Sequence, residues 1–345
     1  MNQEWQNFLT QQGAQLHGGI VQHFGNLQTE LLSTRDDTVL CDLSQYGTLK
    51  VSGEETQKFL QNLLSNDINL VNAKTAQLSS FNSPKGRMVA TLLIWQQGTD
   101  YYLQLPRSLV VAMHKKLSMY VLRSKVTVSD TSEDVVCLGL AGKNAAQLIQ
   151  KNFNVTLEQD WAVAQIDNGS VLRLDENRYQ LSTTIPLAIS HWNTLRKAAK
   201  AAGAPCWDWL TIRAGIPVVT PATQEQFVLQ MTNLDILGGV SFKKGCFPGQ
   251  EIVARTHYLG KQKRRMYLAH VEADDVPVAG NELFSEDMPA QACGMVMNVS
   301  TAPGGGFDLL GVMQISSYEN QHVHLNSAQG EKLNFLPLPY AFPAE

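Results

Sequence analysis

Apolar residues follow a helical period in one early segment and a strand period in the segments after it. Residues 54–65 place Phe59, Leu60, Leu63 and Leu64 on one side of a predicted amphipathic helix. Short apolar runs separated by Pro and Gly turns come next. They predict strands at 76–82, 88–95 and 100–105, a helix at about 107–120 and a strand at 125–129. The first part of the chain is therefore expected to fold as helices packed on an antiparallel sheet.

The same order of elements recurs downstream. The pattern predicts a strand at 135–140, a helix at 142–153, strands near 162–166, 170–174 and 178–183, and a helix at 186–202. Two copies of a helix-packed antiparallel sheet are the expected result, which is an α+β fold class.

After Arg265 the pattern changes to short strands interrupted by Pro and Gly. The predicted strands include 266–270, 294–298 and 322–325. Such a series is typical of a small β-barrel. The predicted domains are 1–130, 131–260 with the motif loop described below, and 261–345 as the barrel.

Composition narrows the class of protein. The chain has 345 residues, of which 44% are hydrophobic and 17% charged, so it can bury large cores in two or three domains. Residues 1–34 show no basic segment followed by an apolar stretch, and no run reaches the length of a membrane span. We therefore expect a cytoplasmic protein without membrane contact.

Cysteine spacing argues against a metal or disulfide framework. The sequence has five widely separated cysteines and no CxxC pair, so the chain by itself is not expected to bind zinc or an iron–sulfur cluster. They lie at positions 41, 137, 206, 246 and 293.

The net charge of −4 hides a basic segment. Residues 243–265 contain seven Lys and Arg residues against Glu251 alone, so this stretch carries +6 and the remainder −10. A local basic patch on an acidic protein should attract an anionic ligand and discourage indiscriminate binding of nucleic acid. The alternative is that these charges form a solvated loop.

Residues 243–251 combine a thiol, two ammonium groups and two glycines in one short segment. Their sequence is Lys-Lys-Gly-Cys-Phe-Pro-Gly-Gln-Glu. Glycine and proline constrain the turn and so direct Cys246. Lys243 and Lys244, with a helix predicted from Gln250, are expected to favour the thiolate and make Cys246 a reactive thiol. The alternative, from residue type alone, is a small buried hydrophobic residue. The other motif residues are Gly245, Phe247, Gly249, Gln250 and Glu251.

Residues 227–251 resemble the K-G-C-(F/Y)-x-G-Q-E region of the YgfZ family, which is related to the aminomethyltransferase T-protein of the glycine cleavage system. Residues 51–54, 59–61 and 65–67 resemble the N-terminal part of the same superfamily. The resemblance covers nearly the whole chain. It implies two ferredoxin-like halves and a C-terminal β-barrel, arranged as a ring around a central channel.

The resemblance also implies a function. Members of this family bind folate and support iron–sulfur cluster maintenance and tRNA modification. A tetrahydrofolate or related folate would be framed by Tyr46 and Trp207, and Lys243 and Lys244 would receive its acidic tail. Implied partners are iron–sulfur enzymes such as tRNA methylthiotransferases, and direct sequence-specific binding of nucleic acid is not expected.

Two departures from the family pattern affect these expectations. Arg213 stands where relatives commonly place a glutamate that pairs with the pterin, and a guanidinium has only donors. It would instead bind a ligand carboxylate or form an ion pair with Asp208 or Glu225. Ala90 and Thr91 occupy the positions of the Asp pair of the T-protein, which argues against the classical aminomethyltransferase reaction.

Two alternative functions remain open at this point. One is a tetrahydrofolate-dependent aminomethyl or methyl transferase with a different acid–base group, against which the missing carboxylates weigh. The other is a docking scaffold in which the thiol plays no part.

Overall fold

Helices and strands alternate through most of the computed structural model, which describes residues 1–258, 260 and 262–342. The elements up to residue 130 are α1 (Gln3–Gln11), β1 (Gln15–His17), β2 (Ile20–His23), α2 (Leu27–Asp36), β3 (Val39–Asp42), β4 (Tyr46–Ser52), α3 (Thr56–Gln61), the 3₁₀ helix η1 (Ile68–Leu70), β5 (Gln77–Asn82), β6 (Met88–Gln97), β7 (Asp100–Pro106), α4 (Arg107–Val121) and β8 (Thr127–Asp130).

The later elements extend from β9 to β19. They are β9 (Val135–Ala141), α5 (Ala145–Phe153), β10 (Val163–Ile166), β11 (Gly169–Asp175), β12 (Arg178–Thr184), α6 (Ile185–Leu195), β13 (Lys200–Ala202), α7 (Ala204–Arg213), the 3₁₀ helix η2 (Leu229–Thr232), α8 (Gln250–Tyr258), β14 (Arg264–Val271), β15 (Glu282–Ser285), β16 (Gly294–Thr301), β17 (Phe307–Gln314), α9 (Ile315–Asn320), β18 (Val323–Leu325) and β19 (Asn334–Leu336).

Three larger sheets organise these strands. Their strand orders are β5-β6-β7-β4-β8, β10-β11-β12-β9-β3-β13 and β18-β15-β16-β17-β14-β19. The last is a curled half-barrel sheet formed by C-terminal residues. The predicted mixture of helices and several sheets is therefore confirmed.

The chain divides into two units that are discontinuous in sequence. The first unit contains Met1–Leu60, Ile68–Gln77 and Leu92–Trp207, and the second contains Gln61–Asp67, Leu78–Thr91 and Asp208–Glu345. One hydrophobic cluster of the first unit packs against the β10-β11-β12-β9-β3-β13 sheet. A second core lies within the C-terminal sheet. The linear domain boundaries given above stay a prediction.

The helix predicted at 54–65 is shorter than its apolar spacing suggested. It begins at Thr56 and ends at Gln61. Leu64 forms a bridge with Phe81 of β5, so the residues after Gln61 bond to a strand rather than to the preceding turn. Tertiary pairing overrides helical periodicity at this position.

The helix predicted at 186–202 is wrong in its last part. Helix α6 ends at Leu195, and Lys200–Ala202 form β13, which pairs in parallel with β3 through Lys200 and Val39. The alanine-rich sequence has a high helix propensity, but completing the edge of the sheet satisfies its backbone groups instead.

Candidate functional site

The motif loop connects η2 to α8 in the second unit. Gly249 has a φ of +77°, and a Cβ at this position would lie 2.4 Å from the Cα of Gly86. Only glycine permits both this conformation and this close approach of two backbones. Helix α8 begins at Gln250, as the sequence predicted, and Glu251 lies exposed in its first turn. The loop is therefore fixed against the turn at 83–87.

Cys246 is exposed, whereas the other four cysteines are buried. All five lie within the described residues. Burial raises the pKa of the Cys137 thiol to about 12, which keeps that sulfur protonated and unreactive at neutral pH. Cys246 is therefore the thiol that a solvent-borne reagent or a partner protein can reach.

The two adjacent lysines of the motif have different environments. Lys243 is exposed, but Lys244 is only 8% exposed. The Lys244 ammonium donates hydrogen bonds to the backbone carbonyls of Gln61 and Leu64. Burial lowers the pKa of Lys244 to about 8, with a smaller opposing effect from Asp67. The exposed positive charge of this pair thus belongs to Lys243.

A polar seam joins the residues before the motif to residues 65–66. Ser65 donates to the carbonyl of Gly239 at 2.7 Å, and the Asn66 amide donates to the carbonyl of Gly238 at 2.7 Å. The backbone N–H of Ser241 in turn donates to the carbonyl of Ser65. Sequence reasoning matched these two residues to the superfamily but gave them no role. The sequence signal for this contact was a pair of short polar residues, Ser65 and Asn66, together with the Gly238-Gly239 pair to which they bond.

Aromatic stacking connects the two ends of the motif region. The Phe242 and His257 rings lie nearly parallel, with centroids 3.8 Å apart, and Tyr258 contacts both edge-on. His257 therefore packs against the residue that precedes the lysines. This contact closes the segment from Phe242 to the end of α8.

Tyr46 and Trp207 belong to the first unit and flank the same strand. Tyr46 is half-buried and lines a small cavity together with Cys137 of β9. Trp207 is 2% exposed and packs so closely on Gly139 that a Cβ there would lie 2.5 Å from its ring. Both aromatic residues therefore lie near β9, Tyr46 through this cavity and Trp207 through Gly139.

The space beside Tyr46 limits how a pterin could bind there. The cavity beside Tyr46 measures about 20 Å³, which is room for about one water molecule and not for a fused ring system. The guanidinium of Arg178 lies over the Trp207 ring at 5.9 Å, so that ring already has a partner. The half-buried ring of Tyr46 retains surface on which a flat heterocycle could stack. The residues fit a ligand that lies against Tyr46 rather than one enclosed in this cavity.

Asp42 supports the turn that presents Tyr46, and the sequence analysis did not single it out. Its carboxylate accepts hydrogen bonds from Trp5 Nε1 at 2.7 Å and from Ser44 Oγ at 2.9 Å. Burial raises its pKa, an effect that these hydrogen bonds partly offset. Arg107 holds the same turn by donating to the carbonyl of Ser44. The Asp-x-Ser spacing was the sequence signal, because it is typical of a side-chain-stabilised turn.

Arg213 forms an ion pair with Asp308, a partner other than the Asp208 or Glu225 named from the sequence. Its guanidinium lies 3.6 Å from the carboxylate of Asp308, which also accepts a hydrogen bond from Trp209 Nε1. Asp308 is 4% exposed, so a positive neighbour helps to compensate its burial. Whether Arg213 also contacts folate stays a prediction.

The strand that carries the Asp pair in the T-protein has no carboxylate at the matching positions. Ala90 is fully buried in β6, and Thr91 Oγ1 accepts a hydrogen bond from the backbone N–H of Val219 at 3.0 Å. Thr91 therefore has a structural partner. Neither side chain can act as a general base.

The described part of the chain contains neither a metal-binding cluster of side chains nor a membrane-spanning helix. Within residues 1–258, 260 and 262–342, no group of three or more His, Cys, Asp or Glu side chains is placed to bind a metal ion. In the same ranges, no helix combines the length and the apolar character needed to cross a membrane. Lys261, part of the predicted basic stretch, lies outside the described residues.

Comparison with known proteins defines the class. Residues 7–166 match the family model described as the GCVT N-terminal domain. The structure is similar to that of the glycine cleavage system aminomethyltransferase T from Bartonella henselae, with a TM-score of 0.80 over 96% of each chain and 17% identity. At this identity the match establishes the fold, which is that of the glycine cleavage T-protein.

Curated relatives define the family more narrowly. The chain is 30% identical over 322 residues to tRNA-modifying protein YgfZ of Photorhabdus laumondii, covering 92% of this chain and 97% of that protein. It is 32% identical to the protein of the same name from Klebsiella pneumoniae, over 73% of this chain and 77% of that one. The chain belongs to the YgfZ family, which confirms the resemblance recognised in the sequence.

Proposed function

We propose that this protein is a cytoplasmic, folate-binding auxiliary protein that supports iron–sulfur cluster assembly or repair and thereby tRNA modification. The observation that carries the proposal is the exposure of Cys246 on a loop fixed at both ends, while the other cysteines are buried. The relatives named tRNA-modifying protein YgfZ support the link to tRNA modification. Partners of this activity would be iron–sulfur enzymes such as tRNA methylthiotransferases.

The proposed site divides into a thiol part and a folate part. Cys246 is the reactive group, and the exposed Lys243 beside it attracts an anionic group of a ligand or partner. Tyr46 supplies the surface for a tetrahydrofolate pterin, and Trp207 packs nearby on Gly139 of β9. The GCVT domain match supports folate as the ligand class.

The Cys246→Ser variant, which replaces the sulfur by oxygen, tests the role of the thiol. In bacterial cells that lack their own YgfZ-family protein, the Cys246→Ser variant should fail to restore methylthiolated nucleosides in tRNA, measured by mass spectrometry of digested tRNA. Wild type and a Cys206→Ala control, which alters a buried cysteine, should restore them. Full restoration by Cys246→Ser would instead favour the docking scaffold.

Calorimetric titration with tetrahydrofolate tests the folate part. The Tyr46→Ala variant should bind about three- to tenfold more weakly than wild type, because it loses one stacking surface. Tyr120→Ala removes an exposed tyrosine of α4 and serves as the matched control. If wild type shows no binding, the folate proposal is withdrawn.

The finer architecture belongs to this proposal as well. We infer two ferredoxin-like halves and a C-terminal barrel, with boundaries near residues 130 and 260, forming a ring around a central channel. Small-angle X-ray scattering should then give a profile that a ring fits better than a filled ellipsoid. The opposite result would contradict the channel.

A further inference from the structure

Lys244 is a cation directed into the protein instead of toward solvent. Its Nζ donates to the carbonyl of Gln61, the last residue of α3, and to the carbonyl of Leu64 just beyond it. Carbonyls at the end of a helix have no partner within the helix and need donors from elsewhere. Lys244 therefore caps α3 from a distant part of the sequence.

The same side chain lies beside the exposed part of the motif loop. Lys243, Gly245 and Cys246 are all exposed, whereas Lys244 and Phe247 are buried. Lys244 Nζ also lies 5.2 Å from the centre of the Phe247 ring, within the range of a cation–π interaction. Lys244 and Phe247 are thus packed inward on either side of the exposed residues Gly245 and Cys246.

We propose that Lys244 is a positioning residue, which caps α3 through its ammonium and thereby fixes the loop that turns Cys246 toward solvent. This role replaces the anion contact expected from the sequence. The proposed role of Lys244 rests on the proposed function in one respect, because the orientation of Cys246 matters only if its thiol is the reactive group. The anchoring itself is a property of the chain alone.

The test compares Lys244→Met with Lys243→Met, because each removes one ammonium and keeps a long side chain. Amide hydrogen exchange followed by mass spectrometry should show exchange about tenfold faster or more at residues 240–247 in Lys244→Met. Exchange in Lys243→Met should match wild type. Equal exchange in all three proteins, or an equal increase in both variants, would overturn the proposal.

Alkylation of Cys246 by iodoacetamide gives the readout specific to positioning. The rate in Lys244→Met should differ at least about threefold from wild type at a fixed pH, because the thiol then samples other orientations. The four buried cysteines should stay unlabelled in the same experiment, which shows that the protein is still folded. An unchanged rate at Cys246 would mean that the anchor does not control the thiol.

A measurement on wild type covers the case in which Lys244→Met does not fold. Brief treatment with acetic anhydride should acetylate Lys243 about tenfold more than Lys244, because only the first amine is exposed. Equal acetylation would overturn the anchor. None of these readouts uses folate or tRNA, so failure of the proposed function would leave them unaffected and separately interpretable.

Discussion

At the scale of single residues, the two glycines of the motif serve different purposes. Gly249 has a positive φ and lies against the backbone of Gly86 and Ser83, whereas a Cβ on Gly245 would have no heavy atom within 4 Å. An L-residue at Gly249 would therefore be strained by its conformation and also by a backbone contact that cannot move easily. The sequence shows two equivalent glycines around Cys246, and only the structure separates them.

This difference predicts that replacing each glycine by alanine has an unequal effect on stability. Gly249→Ala should lower the free energy of unfolding by about 2 kcal/mol or more, since the left-handed conformation alone costs roughly 1–2 kcal/mol. Gly245→Ala should change it by less than about 0.5 kcal/mol, the usual range for surface substitutions. Urea denaturation followed by tryptophan fluorescence measures both. Similar values for the two variants would show that the close approach to Gly86 is not maintained in solution.

The adjacent residues Lys243 and Lys244 also have different roles that the sequence does not separate. Residue type and position predict one role for both Lys243 and Lys244. Their environments differ because adjacent loop residues direct their side chains differently, and Lys244 donates to the carbonyls of Gln61 and Leu64 at the end of α3 and just beyond it. A single sequence contains no signal for that meeting, since Gln61 and Lys244 are far apart along the chain.

At the scale of secondary-structure elements, a buried carboxylate connects a helix to the C-terminal sheet. Asp308 on β17 accepts hydrogen bonds from His270 Nδ1 on β14 at 2.8 Å and from Trp209 on α7. His270 Nε2 contacts Glu272 at 3.1 Å. Arg213 lies on the same side of Asp308 as Trp209, near the carboxylate oxygen Oδ2. This network supplies the partners that a buried charge requires.

The network predicts a pH dependence of stability. Burial lowers the pKa of His270, but the hydrogen bonds to Asp308 and Glu272 raise it by more, so the net pKa is raised. A raised pKa in the folded state means that protonated His270 stabilises the protein at pH below the unfolded value of about 6.5. This contribution is lost as the pH rises through the folded pKa.

Replacement of His270 by Gln isolates this contribution. The difference in unfolding free energy between wild type and His270→Gln should be greater at pH 6 than at pH 8.5, because the stabilising protonated form of His270 is populated mainly at the lower pH. Urea denaturation of both proteins at the two pH values measures it, and the comparison cancels the titrating groups that do not contact His270. A difference that stays constant with pH, or increases toward pH 8.5, would contradict the assignment.

At the scale of the whole molecule, local sequence patterns identified most of the elements between residues 76 and 184. The strands predicted at 88–95 and 178–183 appear as Met88–Gln97 and Arg178–Thr184, and the helix predicted at 142–153 as Ala145–Phe153. Their apolar periods agree with the faces that they bury, so local preference and tertiary packing favour the same state. The elements before residue 53 were not predicted, and neither were α7, β15, β17 and β19.

Long-range contacts account for what the sequence missed. Strand β13 exists because β3 offers an open edge to Lys200–Ala202, and α3 stops at Gln61 because the next residues pair with β5 and receive Lys244. Each contact joins residues that lie more than ten positions apart. Propensity and periodicity are properties of neighbouring residues, so they contain no information about such partners.

The sequence by itself determined the family, most of the secondary structure and the motif around Cys246, because these depend on residue identity and local spacing. The tertiary structure decided which thiol is exposed, which lysine is buried, and where Arg213 finds its carboxylate. Burial and pairing depend on which distant segments meet when the chain folds. Because of such a contact, the ammonium group of Lys244 is a structural anchor, whereas that of Lys243 is a surface charge.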